Sequence, residues 1–581
     1  VVATAVDADN AHMLASSTMR ILIFHGYLLR GTGSNVYNAE LARALVAAGH
    51  DVDLVCQEKH AEELEWVDGL GTWDNAGELV VTDFGRRRED GRGRCTVFLP
   101  PIADQLPVYV QDNYKDFVAR TFDQFDDTEL EFYISRNVMA VKAVAERAKP
   151  DCALGNHMVM GPYILSQALV DDVPYVAKIH GSAMEYIVRP HPRFLPFART
   201  GVGEARAVLV GSRHIAERTW DTLRIPELEK RIYLGPPGVD IERFRPAKSP
   251  DAALAALSEA GEKVLGLPRL GYGPGQQVAT DALFDRVRTA ARMDGMMGYP
   301  EVADEIAGMQ TTYENDGIDA GAGDALRTLA SSDAPIVLYV GKLIVSKGVD
   351  LLAVAWPFVR KAHPDARLLV TGFGAYREGL EMLISALSDG DLVTARWIAA
   401  GGRAFEGSDA DPLKLVLALF DGLEANADAR EEYLDAARGM RDSVTFVGRL
   451  EHDVLTGVVP AADCQVVPST FPEAFGMVAA EAAACGVAPI SADHSGLAEV
   501  TSKLQANLSG ASASLLSFST SGAAVEQLAT RISGVLALSP DQRAELTARL
   551  VQTAEETFSW AGVARDLLAA AQGQTDSLRR P

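Results

Sequence analysis

From Arg20 the chain reads RILIFHG, a short apolar run whose length and lack of alternation fit a strand covered on both faces. A loop of small and polar residues, YLLRGTGSN, leads into VYNAELARALVAAG, where Val36, Leu41, Ala42, Leu45 and Val46 recur at helical spacing. Gly49 stands where a helix C-terminus takes a glycine, and DVDLVC supplies the second strand. The pattern predicts a strand–helix–strand unit. Similar alternation returns at Asp151–Ala153, Tyr175–His180 and Ala207–Gly211. A second series starts at Ile336 with IVLYV, LLAVAWPFVRKAHP and RLLVTGFG. After an interruption it resumes with VTFVGRL, CQVVPS, a helix over Gly476–Cys485, and VAPIS. Alternating strands and helices call for parallel sheets covered on both sides, so the fold class is α/β with two Rossmann-like domains. The expected boundaries are a flexible leader at 1–18, an N-terminal domain at 19–240, a C-terminal domain at 241–555, and a tail at 556–581. Residues about 248–332 and 388–432 break the second series and read as partly helical insertions. Such sheets bind ligands at the carboxyl ends of their strands, which places the expected active site in a cleft between the domains.

Composition narrows the function. The 581 residues are 48% apolar and 23% charged, proportions that exclude general disorder and a fibrous architecture. Lys and Arg number 54 against 79 Asp and Glu, for a formal charge of −25. That balance argues against a nucleic-acid partner and, more weakly, against adsorption to anionic membranes. An enzyme acting on an anionic ligand must therefore concentrate its cations locally. One basic island exists, GRRREDGRGR at Gly85–Arg94, and it reads first as a solvated loop and second as a contact for an anionic acceptor or a membrane. The five cysteines are scattered and form no C-x-x-C pair, which supports neither a disulfide framework nor a thiolate metal site, and no other metal cluster is evident. Cys56 and Cys464 lie in apolar runs and are expected to be buried. No apolar stretch reaches the ~18 residues of a membrane span. With no basic segment at its start, the chain reads as cytoplasmic.

Three stretches could carry chemistry. RGTGSNV, around Gly33, lies between a strand and a helix, where small residues let backbone N–H groups approach a phosphate. It fails the dinucleotide fingerprint at Val36. GKLIVSKG, from Gly341 to Gly348, puts Lys342 and Lys347 on a loop directly after a buried strand, where cations can neutralise a diphosphate. STFPEAFGMVAAEAAACGVAPI joins a strand to a helix and carries Glu473 in the loop and Glu481 among alanines. A carboxylate in such a helix is costly to bury unless it is hydrogen-bonded.

At these residues the chain resembles the family 4 retaining glycosyltransferases of the GT-B architecture. The resemblance rests on the E-x7-E pattern, Glu473 to Glu481, with its F-P-E-x-F-G lead. It extends to the His-Gly pair at His180, to Gly238, Val239, Asp240, Phe244 and Pro246 of PPGVDIERFRP, and to the VGKL…KG, GFG and FVGRL segments in family order. FSWAGVARDLL, with Trp560, looks like the final helix that crosses back to the N-terminal domain.

The resemblance implies roles. Glu473 would bind hydroxyls of the donor sugar and Glu481 those of the ribose. Backbone amides of Phe475, Gly476, Met477 and Val478 would meet sugar and phosphate. Lys347, with Lys342 and the loop opened by Gly341, would hold the diphosphate, although the family usually has arginine at 342. Gly33 would admit the donor phosphate, Gly448–Leu450 would flank the base, and His180 would sit beside the reacting sugar carbon. Ser495-Gly496 replaces the family's frequent pair of glycines. On the acceptor side the candidates are His157, Tyr186, Arg189 and Arg193. The implied reaction is transfer of a sugar from a nucleotide-diphosphate sugar, UDP before GDP, to a small-molecule, glycan or lipid acceptor. It retains anomeric configuration and uses the donor as co-substrate, with no cofactor or metal. Rival readings are a nucleotide-sugar 2-epimerase of the same architecture, a non-catalytic nucleotide-sugar-binding protein and, from GTGSN alone, a nicotinamide dehydrogenase. Oligomeric state is unread.

Overall fold

The computed structural model describes residues 18–581 except 32, 87–91, 110–115, 170–172, 294 and 314–315. The leader up to residue 17, and residues 87–91 of the basic island, lie outside the described residues. The chain forms two compact units. The first runs to Gly238 and takes up Ser559–Pro581, and the second is Val239–Phe558.

The first unit is built on β1 (Arg20–Phe24), β2 (Asp51–Val55), β3 (Gly69–Trp73), β4 (Leu79–Asp83) and β5 (Cys95–Phe98). A separate parallel pair follows, β6 (Gln105–Val108) and β7 (Val118–Thr121). Then come β8 (Cys152–Asn156), β9 (Tyr175–Ile179), β10 (Ala207–Val210) and β11 (Ile232–Leu234). The main sheet has the order β11-β10-β9-β8-β1-β2-β5-β3-β4, parallel except for the antiparallel β3–β4 hairpin. Ile21 to Phe24 are all buried, and β1 lies centrally between β2 and β8, as its unbroken apolar run requires. Helices close over the sheet with local signals of their own. Asp126 and Glu129 form a capping box at the start of Asp127–Ala148, and Ser212 caps Arg213–Leu223. The last helix, Trp560–Gln572, buries Trp560, Val563, Leu567 and Ala570 in the core of this unit.

The second unit has six strands, β12 (Ile336–Val340), β13 (Arg367–Thr371), β14 (Val444–Gly448), β15 (Cys464–Val467), β16 (Ala488–Ala492) and β17 (Ser517–Phe518). Their order is β14-β13-β12-β15-β16-β17 and every pairing is parallel. Among its described residues the first inserted stretch contains the helices Pro250–Leu265, Pro274–Ala290, Tyr299–Gln310 and Ala322–Ala330. The second contains Leu392–Gly401 and Lys414–Ala425, with a short turn at Arg403–Glu406 between them. All five cysteines are buried. No helix among the described residues is long and apolar enough to cross a membrane.

Candidate active site

In the second unit, two loops at the carboxyl edge of the sheet are tied to each other. The first follows β12 and runs from Gly341 to Gly348. The second follows β15 and leads to the helix Met477–Ala484. The amides of Thr470 and Phe471 donate to the Ser346 carbonyl at 3.0 and 3.2 Å. Lys347 Nζ pairs with Glu473 Oε1, which also accepts from the Ser469 hydroxyl. Burial pushes the Glu473 carboxyl upward, but the Lys347 ammonium, its hydrogen bond and that of Ser469 outweigh burial and hold it below the ordinary carboxylate range. Gly348, with φ +68°, lets the first loop turn against the second: a Cβ there would lie 1.9 Å from the Pro468 carbonyl oxygen.

The second loop is held from behind. The Glu473 amide donates to Ser495 Oγ at 2.8 Å, the Gly496 amide donates to the Glu473 carbonyl at 3.0 Å, and His494 Nε2 lies 2.7 Å from the Ser469 carbonyl. Ser495 adopts φ +52°, a conformation that favours glycine, and its hydroxyl makes a contact that glycine could not, by accepting the Glu473 amide. Gly476 precedes the helix at φ +129°, so the first helical amides, from Met477 and Val478, begin where the loop ends. The Val478 carbonyl is held by Gln465 Nε2 at 2.8 Å. Phe475 is buried against the Phe558 ring, 5.6 Å between centroids. Glu481 is buried one turn further on, 3.4 Å from His452 Nε2.

Lys342 lies over the ring of Phe373 at 5.5 Å, and the Arg449 guanidinium lies over the same ring at 5.7 Å. Arg449 also pairs with Asp316 and Glu451 at 2.9 and 2.6 Å. Both insertions reach this edge. From the first, Ile318 bridges Gly448, the Asp319 amide donates to the Val447 carbonyl at 3.2 Å, and the Arg449 amide donates to Gly317 at 3.1 Å. From the second, Glu406 accepts the Val345 amide at 2.5 Å. Leu450 is buried beside this edge.

In the first unit, three strands end in histidines. His25 follows β1, His157 follows β8 and His180 follows β9. The His157 ring lies 4.8 Å from His180, 6.0 Å from His25 and 4.4 Å from Tyr109. Burial holds all three histidines below the ordinary imidazole range, His25 at about 4, so they are neutral at pH 7. Neither ring nitrogen of His157 has a hydrogen-bond partner among the described residues. His180 Nε2 lies 2.8 Å from Asn156 Oδ1, and its ring meets Tyr37 edge-on at 5.0 Å. Gly33 opens the helix Gly33–Ala47 after β1.

The three other acceptor-side candidates follow β9 in sequence. Tyr186 is exposed on the helical turn Ala183–Val188. Arg189 reaches Glu185 at 3.6 Å and Thr222 Oγ1 at 3.3 Å. Arg193 donates to the Phe122, Asp123 and Phe125 carbonyls and packs on Phe194, contacts that hold the Phe122–Phe125 turn in place and occupy its guanidinium. Among the described residues, no group of three or more His, Cys, Asp or Glu is placed to hold a metal ion.

Two family profiles match the chain. "Glycosyltransferase Family 4" covers residues 31–243 and "Glycosyl transferases group 1" covers 403–549, together more than half of the sequence. The chain belongs to the family 4 glycosyltransferases. Among curated members it is 26% identical to the glycogen synthase of Mycobacterium tuberculosis over 200 residues, which is 34% of this chain and 36% of the relative. It is 32% identical to the D-inositol 3-phosphate glycosyltransferase of Mycobacterium ulcerans over 178 residues, 31% of this chain and 32% of that one. The match thus spans about a third of the length of these relatives. Solved structures share the fold at low identity. Anabaena Alr3699/HepE in complex with UDP and glucose superposes with a TM-score of 0.50 at 13% identity, covering 96% of this chain and 100% of that chain. The catalytic domain of starch synthase IV from Arabidopsis thaliana gives 0.50 at 12%, covering 96% and 99%. The fold is GT-B.

Within this family 4 chain, Lys347, Glu473, Phe475, Gly476 and the first turn of the following helix come together on one loop pair. Glu481 lies on the same helix, and Lys342 joins through Phe373. His157 and His180 come together in the first unit, and Arg189 and Arg193 are held by partners of their own. Sequence reasoning missed Ser469, His494, His452 and Glu406, together with the network behind His180. The serine at 495 and the repeated strand-then-histidine endings were visible signals for two of these. The reach of Glu406 across the fold left none.

Proposed function

We propose that the protein is a retaining glycosyltransferase that moves a sugar from a nucleotide-diphosphate sugar, UDP-sugar first and GDP-sugar next, to a hydroxyl of a small-molecule, glycan or lipid acceptor. The loop pair joined by Lys347 and Glu473 carries this reading. It combines a cation for a diphosphate, a carboxylate for sugar hydroxyls and a helix start whose amides accept negative charge. The UDP and glucose complex of the Anabaena neighbour lends support for the donor class.

In the step we propose, the bond between the anomeric carbon and the diphosphate oxygen breaks and its electron pair leaves with the diphosphate. The acceptor oxygen bonds to that carbon on the same face, and the acceptor proton passes to the departing phosphate oxygen. Lys347, Lys342 and the helix amides from Met477 stabilise the charge gathering on the leaving group, which is where preorganised electrostatics is most effective. These cations belong to the chain itself, so the neutralisation we propose uses no bound metal. Glu473, ionised at neutral pH, accepts from sugar hydroxyls, Glu481 accepts from the ribose, and the Gly448–Leu450 edge flanks the base. We assign acceptor recognition to the first unit and a substrate-facing role to His180.

Thermal unfolding of the full chain with UDP, GDP, ADP, TDP and NAD tests the proposal, followed by assay of nucleoside diphosphate release from the corresponding sugar nucleotide. A diphosphate at 100 times its Kd adds about 2.7 kcal/mol to stability. A shift with one nucleoside diphosphate, and release that speeds up with acceptor, is the expected result. A shift with NAD alone, or no shift with any of the five, overturns it.

A further inference from the structure

Behind His180 lies a chain of side chains whose hydrogen bonds have only one possible direction. Asn156 Nδ2 donates to the Phe24 carbonyl at 3.1 Å, and a carbonyl can only accept, so the orientation of this amide is fixed. The same Nδ2 donates to Asn38 Oδ1 at 2.7 Å. Asn38 Nδ2 is fixed in turn by the Ser34 carbonyl at 2.8 Å and lies 3.0 Å from His25 Nδ1, which must accept. His25 therefore carries its proton on Nε2 and donates to Asn35 Oδ1 at 2.9 Å. Asn35 Nδ2 ends the chain on the Arg30 carbonyl at 2.9 Å.

At the other end, Asn156 turns Oδ1 toward His180 Nε2 at 2.8 Å. An amide oxygen only accepts, so His180 must be the donor and its proton must sit on Nε2. We propose that Asn156, backed by Asn38 and His25, is a positioning residue that locks His180 in the Nε2–H tautomer and leaves Nδ1 as a hydrogen-bond acceptor for a substrate hydroxyl. This rests on the reading that His180 serves a glycosyl transfer, and it adds the residues that set the tautomer of His180. Asn38, Asn156 and His25 are all buried, so the chain cannot exchange its partners for bulk water.

The surroundings keep His180 uncharged. His157 at 4.8 Å, His25 and Lys178 face it, each able to carry positive charge, and Tyr37 closes another side. Burial is the main cause that holds its pKa well down, with these neighbours adding to it. Lys178 donates to the Gly235 carbonyl and lies over the Tyr37 ring at 5.0 Å.

The test reads the tautomer directly. The full-length protein is labelled with 15N-histidine, the His180 signals are assigned by loss in His180→Gln, and the ring nitrogens are followed between pH 5.5 and 8.5. The expected wild-type pattern is an Nε2–H imidazole that does not titrate in this range. In Asn156→Asp the new carboxylate should raise the His180 pKa into the range, and the acid limb of kcat should move up with it. In Asn156→Leu the tautomer should become mixed, and kcat should fall about tenfold or more with donor KM little changed. A wild-type Nδ1–H tautomer overturns the proposal even if neither variant folds. So do folded variants with wild-type tautomer and kcat. Failure of the wild type to release nucleoside diphosphate removes the transferase reading and with it the role proposed for this chain, while the wild-type spectrum still judges the tautomer.

Discussion

The ion pair between Lys347 and Glu473 asks each residue to do two things at once. The lysine keeps the carboxylate ionised against the cost of burial, and the carboxylate keeps the lysine on the loop where a diphosphate would arrive. Replacing either with alanine should cost about 2–4 kcal/mol in kcat/KM, read as steady-state transfer with the fold checked by circular dichroism. Lys347→Ala should do more than lower the rate. With the ammonium gone, burial is opposed only by Ser469 and His494, so Glu473 protonates at higher pH and the acid limb of the residual activity moves upward. An unmoved acid limb would place Glu473 outside the rate. Asp350, just past Gly348, offers a stability test with the opposite sign. It is buried, Oδ1 has no hydrogen-bond partner, and burial, with the Glu406 charge adding, raises its pKa from 3.8 to about 7. The folded state therefore holds a proton that the unfolded state releases. The group's contribution is full below about 3.8, declines as pH rises and is lost above about 7. Asp350→Asn stays neutral throughout, so its advantage over wild type should grow from pH 5 to pH 8 and reach roughly 2–4 kcal/mol in urea unfolding.

Among the elements, the strands were the most legible part of the sequence. β1 after Arg20 and the whole of β12 are continuous apolar runs because they lie inside parallel sheets, and their length and lack of alternation place them. The Glu473 loop and the helix from Met477 were legible for a different reason, a fixed spacing of unlike residues that packing alone does not produce. The insertions were illegible in their role, although their positions were visible. Helical periodicity says that 248–332 and 388–432 fold, but the contacts that tie them to the site are single main-chain and side-chain bonds. Gly317–Asp319 pairs along Val447–Arg449 without any alternating pattern, and Glu406 meets Val345 across 61 residues of sequence. That last bond predicts an outcome. Glu406→Ala leaves the Val345 amide without its carboxylate, so the loop bearing Lys347 loosens, and nucleoside diphosphate Kd measured by calorimetry should rise by about 5- to 30-fold. Glu406→Gln keeps an acceptor oxygen and should recover most of that loss. Equal affinities in the wild type and the alanine variant would mean that the second insertion does not support the donor loop.

On the scale of the whole molecule, the chain leaves the first unit after Gly238 and returns to it at Ser559, so the first unit is completed only by the last residues of the sequence. Trp560 is the anchor of that return. Its ring meets Tyr37 at 5.4 Å, and it fills the space beside Gly238 so closely that a Cβ on that glycine would lie 2.6 Å from the indole. Further along, the Leu234 amide donates to the Arg579 carbonyl at 2.8 Å, extending the edge of the sheet with the tail. Tyr37 also meets His180, so the packing of Trp560 reaches the histidine face through one shared ring. Trp560→Ala removes a large buried side chain and should cost about 3–5 kcal/mol. Because the second unit has its own core, that loss should fall on the first unit. Calorimetry should then show one transition lowered and one retained, and limited proteolysis should cut within residues 19–238 while a fragment near 239–558 survives. Trp560→Phe, which keeps a ring against Tyr37, should fall between the alanine variant and wild type. A single transition displaced as a whole would show that the two units unfold together and that the anchor stabilises the entire chain.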